Sequence, residues 1–380
     1  MLPILGLLGA CTDIGGAPKG VATNPGTDTT APTDDSGTPT DPDTGTAPTD
    51  TTDTDTPTDS VPDSGTTTGS ALTAADCFGA IWGSSPPVDY DQFGPVLGSH
   101  CMGTNHQDIT APGRVVFVGD SITVGSPPTA TEDWYRNVLT DTFVDRYGLE
   151  APSWEWQNVN LVDGTTYVQE SGDFASCAKY GARTDDLLRD NTQLATCLPE
   201  DKRDLPTLVV MTIGGNDYYS LLEDIAAGVD DATVASTFAD ATGLLRDAAT
   251  YVADQRANYP NGLWLVFANT YDFTDADAAE DMARCPGAGL INLDEPLRDA
   301  SLWPVAAAAQ EEYVSIAVDT QTDVVFLGET FCGHGYAYDE ASGRCYRGSG
   351  AELYLDFTCM HPAEAGHRAL ADLVLAVVDE

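Results

Sequence analysis

Positive charge is scarce in this sequence. Its 380 residues include 60 aspartates and glutamates but only 16 lysines and arginines, so the formal net charge is −44 at pH 7. Such an acidic surface repels phosphate backbones and anionic lipid headgroups. The composition therefore argues against a nucleic-acid partner, and we interpret the charge as a means of keeping the protein soluble.

Residues 12–72 lack aromatic side chains altogether and contain almost no large aliphatic ones. They are built from Thr, Asp, Pro, Gly, Ser and Ala, which cannot bury enough apolar surface to offset the conformational entropy lost on folding. We therefore predict a disordered linker over 12–72. The remaining segment, 73–380, is long enough for one α/β domain with a full hydrophobic core, and we expect it to carry the activity.

A long hydrophobic run is also missing. The apolar stretch of residues 1–11, MLPILGLLGAC, is too short to span a bilayer as a helix, and no basic residues precede it. It ends in Leu8-Gly9-Ala10-Cys11, which resembles a bacterial lipobox, a motif whose cysteine is lipidated. We expect an exported protein, either a cell-envelope lipoprotein that meets the membrane only through a lipid on Cys11 or an extracellular protein. The alternative is an ordinary apolar start with a chance cysteine.

Cysteine, in contrast, is plentiful, with nine in the chain. The eight that follow Cys11 form an even set, which in an exported protein predicts four disulfides and an oxidising compartment. Short sequence separation favours the pairs Cys77–Cys101 and Cys177–Cys197. The alternative is a zinc site built from Cys332, His334, Cys345 and Cys359. Because paired CxxC spacing is absent, we prefer the disulfides and expect neither a metal nor another cofactor.

Four short runs are continuously apolar rather than alternating, which predicts strands buried on both faces. They are Arg114–Val118, Leu208–Ile213, Leu263–Ala268 and Val324–Leu327. Amphipathic helical patterns lie between and after them, over residues 131–147, 184–190, 233–258, 296–317 and 363–378. This alternation predicts an α/β fold with a flavodoxin-like, doubly wound parallel sheet between two helical layers. Residues 73–113 precede the first core strand and could form either a cap over the sheet or part of a pocket.

Two loops at the carboxyl edge of the predicted sheet, where such sheets bind ligands, carry residues suited to acyl chemistry. Gly119-Asp120-Ser121 follows the first strand and exposes the Ser121 hydroxyl at that edge. Gly214-Gly215-Asn216-Asp217 follows the second strand, and the two N–H groups of the Asn216 amide suit a tetrahedral oxyanion. Taken singly, each motif is also a common turn.

Two further positions stand before predicted helices. Gly181 precedes the helix that begins near Thr184, and a glycine lets the backbone N–H approach a ligand closely. His361 precedes Pro362, which suits the first turn of the last helix. The positive end of that helix disfavours imidazolium and keeps the ring neutral, as a general base requires. His367 lies within the helix and is better interpreted as a structural or surface residue.

The order of these four blocks resembles the SGNH, or GDSL-like, hydrolase family. The resemblance extends from Gly119 to His367, which is most of the folded segment. It implies the three-layer SGNH fold and serine-dependent hydrolysis of acyl or acetyl esters, with Ser121 as nucleophile and His361 as base. It also implies an oxyanion hole made by the backbone N–H groups of Ser121 and Gly181 and by the side chain of Asn216.

The resemblance breaks at one position. The family usually has an aspartate three residues before the histidine, where this sequence has Thr358. Asp356 could reach the ring if the loop bulges, or Thr358 or a backbone carbonyl could orient His361 in a Ser–His dyad, or the site could be impaired. We expect an active enzyme and name Asp356 as the candidate acid. If Cys359 is disulfide-bonded, the bridge would tether the loop that bears His361.

The expected substrate is a small-molecule, carbohydrate or lipid ester. Because no long apolar lid segment is evident, small or carbohydrate esters are favoured over insoluble lipid, and we expect a monomer. A hypothesis from another class is a catalytically silent surface-binding lipoprotein on the same fold, which Thr358 would explain. A disulfide-rich structural protein with chance motifs is the third alternative.

Overall fold

A six-stranded sheet organises the part of the chain that the computed structural model describes, residues 72–82, 88–273, 281, 283–288, 299–343 and 345–380. The strand order is β4-β5-β1-β6-β7-β8, and all neighbouring pairs are parallel except β4 with β5. A separate two-stranded antiparallel ribbon pairs β2 with β3. The strands are β1 Arg114–Gly119, β2 Val159–Asn160, β3 Thr165–Thr166, β4 Glu170–Ser171, β5 Phe174–Ser176, β6 Thr207–Thr212, β7 Leu263–Ala268 and β8 Asp323–Val325.

Helices cover both faces of this sheet. They are α1 Ala74–Trp82, α2 Ser121–Val124, α3 Tyr135–Tyr147, α4 Trp154–Gln157, α5 Gln193–Cys197, α6 Gly215–Ala227, α7 Asp231–Gln255, α8 Asp299–Thr320, α9 Leu327–Phe331 and α10 Glu364–Val378. Short 3-10 helices lie at Tyr90–Phe93, Thr131–Asp133, Thr184–Leu187, Glu200–Lys202 and Arg256–Asn258.

Alternate side chains of β1 enter two different cores. Val115 and Phe117 belong to a cluster that includes residues of α3 and α10, whereas Val116 and Val118 belong to one that includes residues of α7. A strand whose successive side chains are all buried must be covered on both faces, which explains its continuous apolar sequence. The predicted three-layer α/β/α fold is confirmed.

The predicted elements match the observed ones to within a few residues, whereas strands β2 to β5 and several short helices were not predicted. The predicted strand Val324–Leu327 ends at Val325, because Leu327 already begins α9. The predicted helix 184–190 is a single 3-10 turn, Thr184–Leu187. The largest difference is α6, since the Gly-Gly-Asn-Asp motif that indicates a turn instead opens a helix of 13 residues.

The described residues of the segment before β1 pack against one face of the sheet, where Phe78 and Tyr90 belong to the same core cluster as Val116, and they also cover the last strand. Thr104 N–H donates to the carbonyl of Val324 at 2.9 Å, and Phe326 N–H donates to that of Met102 at 2.9 Å. The open edge of β8 is thereby paired, which prevents its backbone from templating association with another chain.

Four disulfides connect the described cysteines, as predicted. Cys77–Cys101 and Cys177–Cys197 are the two pairs that sequence separation favours, and the others are Cys285–Cys359 and Cys332–Cys345. The zinc alternative is wrong, because its three cysteines are oxidised and cannot supply thiolate ligands. The signal-like segment 1–11, with Cys11, and all of the linker except residue 72 lie outside the described residues. None of the described helices is both long enough and apolar enough to cross a membrane.

Candidate active site

The candidate nucleophile stands on a sharp turn at the carboxyl end of β1. Gly119 has φ +134°, and a Cβ there would lie 1.9 Å from the carbonyl oxygen of Thr212 on the neighbouring strand. Only glycine fits such a conformation and such a close approach. Asp120 caps α2 by accepting the N–H of Ile122 at 3.0 Å, so Ser121 becomes the first residue of that helix.

Two buried polar groups support this turn, and one of them has no sequence signal. Gln193 accepts the N–H of Gly119 at 2.7 Å and donates to its carbonyl at 3.0 Å. This glutamine lies 74 residues downstream, with no motif around it to reveal the role. Burial raises the pKa of Asp120 to about 7, because desolvation outweighs its hydrogen bonds to Ile122 and Thr212.

Asn216 is the second residue of α6 and holds the neighbouring loop. Its Nδ2 donates to the carbonyl of Ala182 at 2.8 Å. Asp217 reinforces the same contact by accepting the backbone N–H of Thr184 at 3.1 Å and its hydroxyl at 3.2 Å. Burial raises the pKa of Asp217 to about 6. The start of α6 therefore positions the loop that contains Gly181.

Gly181 lies on a loop that runs beside the nucleophile turn. Lys179 N–H donates to the carbonyl of Gly119 at 3.0 Å, and the Tyr180 hydroxyl donates to that of Gly125 at 2.8 Å. Gly181 itself has φ +70°, a conformation that favours glycine. Within the described part of the chain, the N–H groups of Gly181 and Ser121 donate no hydrogen bond to protein.

His361 meets the serine directly. Its Nε2 lies 2.8 Å from Ser121 Oγ, although the two residues are 240 positions apart. The ring is buried, and burial lowers the pKa of His361, which favours the neutral form. One expectation is corrected: α10 begins at Glu364, and Pro362 forms an isolated bridge with Leu355 instead of a helical turn.

On the far side of the imidazole, Thr358 stands between the ring and the candidate acid. His361 Nδ1 lies 3.0 Å from Thr358 Oγ1, and that hydroxyl also contacts Asp356 Oδ1. The carboxylate of Asp356 therefore contacts Thr358 and does not reach the ring itself. Burial raises the pKa of Asp356, while the nearby His361 and the hydrogen bonds from Thr358 oppose that change.

The loop of residues 356–361 is held in place by contacts with several other segments. Cys359, whose φ of +69° is unusual for a residue other than glycine, is bonded to Cys285. Gly287 packs so tightly that a Cβ there would lie 2.1 Å from the carbonyl oxygen of Phe357. The Tyr271 hydroxyl donates to the carbonyl of Met360, and that of Tyr336 donates to the carbonyl of Asp356 at 3.0 Å. These anchors come from distant segments and carry no local sequence signal.

We expect loss of this bridge to slow turnover. In the double variant C285A/C359A the loop gains freedom, and a misplacement of about 1 Å can cost about 100-fold in rate. The matched control C77A/C101A removes the bridge of the N-terminal segment. It should lower the melting temperature and leave kcat unchanged. Wild-type kcat in folded C285A/C359A would exclude a role for the bridge in holding His361.

An open pocket lies over the serine and encloses about 600 Å³ of empty space, which includes solvent at its mouth. Ser121, Asn216 and His361 line it, whereas Gly181 is not among its described lining residues. Much of the wall is apolar or aromatic. These wall residues are Ile122, Tyr219, Tyr271, Phe273, Leu327 and Met360. Among the described residues, no cluster of histidine, cysteine, aspartate and glutamate could hold a metal ion.

Three solved structures have a low similarity to this chain. The Axe2 acetylxylan esterase from Geobacillus stearothermophilus is 14% identical over 72% of this chain and 97% of its own, with a TM-score of 0.39. An extracellular lipase from Streptomyces rimosus (TM-score 0.38) and a phospholipase A1 from Streptomyces albidoflavus (0.39) are each 18% identical, over 70% of this chain and 99% of theirs. At this level of similarity they carry no argument about the substrate of this chain.

The family assignment comes from the sequence of the domain. No curated protein matches the chain. Residues 115–374, from β1 into α10, match the family described as GDSL-like Lipase/Acylhydrolase. That segment is more than half of the 380 residues and contains all four motifs. The chain therefore belongs to the GDSL-like lipase/acylhydrolase family of ester hydrolases.

Proposed function

We propose that the protein hydrolyses carboxylic esters of acyl or acetyl groups through an acyl-enzyme on Ser121. The observation that carries this proposal is the 2.8 Å contact between Ser121 Oγ and His361 Nε2 at the floor of an open pocket. A serine hydroxyl is a weak nucleophile until an adjacent base can accept its proton, and this contact supplies the base.

The proposed reaction has two halves. His361 Nε2 accepts the Ser121 proton as Oγ attacks the ester carbonyl, and the resulting imidazolium then protonates the leaving alcohol. An acyl ester remains on the serine. Water, deprotonated by the same nitrogen, attacks this ester and releases the carboxylic acid. The serine recovers its proton from His361, so the enzyme returns to its starting state.

The proposed oxyanion hole has three donors. Ser121 is the first residue of a helix, so its N–H has no partner within that helix. The N–H of Gly181 is the second donor. The Asn216 amide has two N–H groups, of which one donates to Ala182, so the other remains for the substrate. One such donor is worth about 3 kcal/mol of barrier.

In this proposal Asp356 supplies the negative charge that stabilises the imidazolium. It is buried beside the loop of His361, and no lysine or arginine pairs with its carboxylate among the described residues. The silent-binding alternative rests on the absence of an aspartate at position 358. A carboxylate does lie one hydroxyl away from the ring, and this arrangement favours the hydrolase over that alternative.

The proposed substrates are soluble esters of short acyl groups, since the walls of the pocket are largely apolar and the sequence has no long apolar lid segment. We expect the purified full chain to hydrolyse p-nitrophenyl acetate and butyrate, and to act poorly on the palmitate. The matched control is bis-p-nitrophenyl phosphate, which releases the same product from a phosphodiester and should not react. Folded protein that turns over neither short ester would contradict the proposal.

We further propose that the protein is exported and that a lipid on Cys11 attaches the catalytic domain, 73–380, to a membrane through the linker 12–72. The support is the lipobox-like Leu8-Gly9-Ala10-Cys11 and the four disulfides, which form in oxidising compartments. Expression in a bacterial host fed a labelled fatty acid should label the wild type and not C11S. Equal labelling of both proteins would contradict lipidation at Cys11.

A further inference from the structure

The loop between Asp356 and His361 folds back on itself and brings its two ends together. Leu355 and Pro362 form an antiparallel bridge, and the N–H of Asp356 donates to the carbonyl of His361 at 2.8 Å. Asp356 and His361 are therefore neighbours across a tight loop. Thr358 lies inside that loop, with its hydroxyl between the two side chains.

The hydroxyl of Thr358 contacts three polar atoms of the loop, and the backbone N–H of Thr358 adds a fourth hydrogen bond. The Oγ1 atom contacts Asp356 Oδ1, lies 3.0 Å from His361 Nδ1 and accepts the backbone N–H of His361 at 3.2 Å. The backbone N–H of Thr358 donates to the same Asp356 Oδ1 at 2.8 Å. Thr358 is thus bonded to both ends of the loop, by backbone and by side chain.

A count of protons gives these contacts a direction. A threonine hydroxyl has one proton to donate and can accept two hydrogen bonds. An ionised carboxylate only accepts, so the hydroxyl proton of Thr358 must go to Asp356. The remaining capacity of Oγ1 is then to accept, which requires the proton of the imidazole to reside on Nδ1. His361 Nε2 is left with a free lone pair, and that atom faces the Ser121 hydroxyl.

Among the described residues, the Asp356 carboxylate receives its hydrogen bonds from Thr358. The carboxylate is buried, and Oδ1 receives both hydrogen bonds from Thr358. Its other oxygen, Oδ2, is also buried and has no hydrogen-bond partner among the described residues. A surface acid of a loop would instead have both oxygens in water. Buried titratable groups with shifted pKa values cluster at functional sites.

We propose that Thr358 is a positioning residue whose hydroxyl connects the Asp356 carboxylate to the His361 imidazole. This inference rests on the proposed function, since it concerns the base of that reaction. The hydrogen-bonded chain of the site then has four members instead of three, since Thr358 stands between His361 and Asp356. When Nε2 accepts the serine proton, Nδ1–H still donates to Thr358, whose own O–H is polarised by Asp356. No proton moves to the carboxylate. The Asp356 charge stabilises the imidazolium through the Thr358 hydroxyl that lies between them.

The test compares variants of the full chain by kcat per active site, counted by titration with a fluorophosphonate. Thr358→Val keeps the shape and removes the hydroxyl, and we expect kcat to fall about 100- to 1,000-fold, less than the roughly 10⁴-fold loss when a directly bonded acid is neutralised. Thr358→Ser keeps the hydroxyl and should remain within about tenfold of wild type, on the same reasoning. Asp356→Asn keeps the shape, removes the charge and should fall as Thr358→Val does.

Two readouts separate a connecting role from a merely structural one. The double variant T358V/D356N should be no slower than the slower single variant, because both changes break the same chain. In T358V the acid limb of the kcat/KM profile should move to lower pH, because the imidazolium loses its stabilisation and the pKa of His361 falls.

Three results would overturn the inference. They are wild-type kcat in folded Thr358→Val or folded Asp356→Asn, losses in the double variant that multiply, or a kcat of Thr358→Ser as low as that of Thr358→Val. If Thr358→Val does not fold, Asp356→Asn and Thr358→Ser still decide the matter. Failure of the proposed function gives a different result, because the wild type would then be inactive and unlabelled before any of these variants is compared.

Discussion

Replacing Ser121 with alanine should reduce ester turnover by about 10⁵- to 10⁶-fold, the loss seen when the nucleophile of a serine hydrolase is removed. The reason is that Ser121 Oγ is the protein atom that, in this proposal, forms the covalent bond to the acyl carbon of the substrate. The residual rate reflects direct attack of water on the ester carbonyl, with the oxyanion still stabilised by the remaining donors. The measurement is kcat on p-nitrophenyl acetate, with enzyme expressed and purified separately from the wild type to avoid carry-over.

The structure supplies a control for this variant. Ser121 starts a short helix whose cap is the side chain of Asp120, and the serine hydroxyl itself contacts His361. Its removal should therefore leave the fold intact, with a change of about 1 kcal/mol or less in the free energy of unfolding. S121A that unfolds at the wild-type temperature but retains more than a hundredth of the wild-type rate would contradict the assignment of the nucleophile.

Replacing His361 with asparagine should cost nearly as much, about 10⁴- to 10⁶-fold in kcat, because the serine loses its base. The side chain of asparagine can still hydrogen-bond but cannot accept a proton at neutral pH. KM should change much less than kcat. The imidazole accepts the Ser121 proton in the transition state and contributes little to binding the substrate in the ground state.

His367 offers a matched comparison, because it is a second buried histidine six residues along the chain. Its Nδ1 accepts the N–H of Tyr135 at 3.3 Å, its ring stacks on that tyrosine, and burial lowers its pKa to about 3. H367Q should lower the melting temperature and keep kcat within about tenfold of wild type, as expected for a structural position. Equal losses in H361N and H367Q would mean that both substitutions act through stability alone.

Much of the frame could be predicted from the sequence. The strand Leu263–Ala268 is observed with the predicted bounds, because a run of large apolar residues between turn residues has few other solutions in an α/β chain. The position of Ser121 also follows from local chemistry, since Gly119 must end a strand where no Cβ fits. The disulfides Cys77–Cys101 and Cys177–Cys197 were predictable because short loops close readily, whereas Cys332–Cys345, with a separation of only 13 residues, was not named as a pair.

The remainder depended on contacts between distant segments. The start of helix α6 could not be predicted from the sequence, because Gly214 and Gly215 indicate a turn. In the structure Gly214, at φ +103°, is the N-cap of that helix. The partner of Cys359 lies 74 residues away, and nothing local distinguishes it from other cysteines. The roles of Thr358 and Asp356 depended on the path of one loop, which a spacing rule based on direct contact could not reveal.

The central claim is that His361 activates Ser121, a residue far away in the chain. One measurement tests this claim most directly. The purified full chain is treated with a fluorophosphonate, and the intact mass and the modified peptide are determined by mass spectrometry. We predict one phosphonyl group per molecule, located on Ser121, with no adduct on S121A and strongly slowed labelling of H361N. Folded wild-type protein that stays unmodified, or that carries the adduct on another residue, would contradict this assignment of the active site.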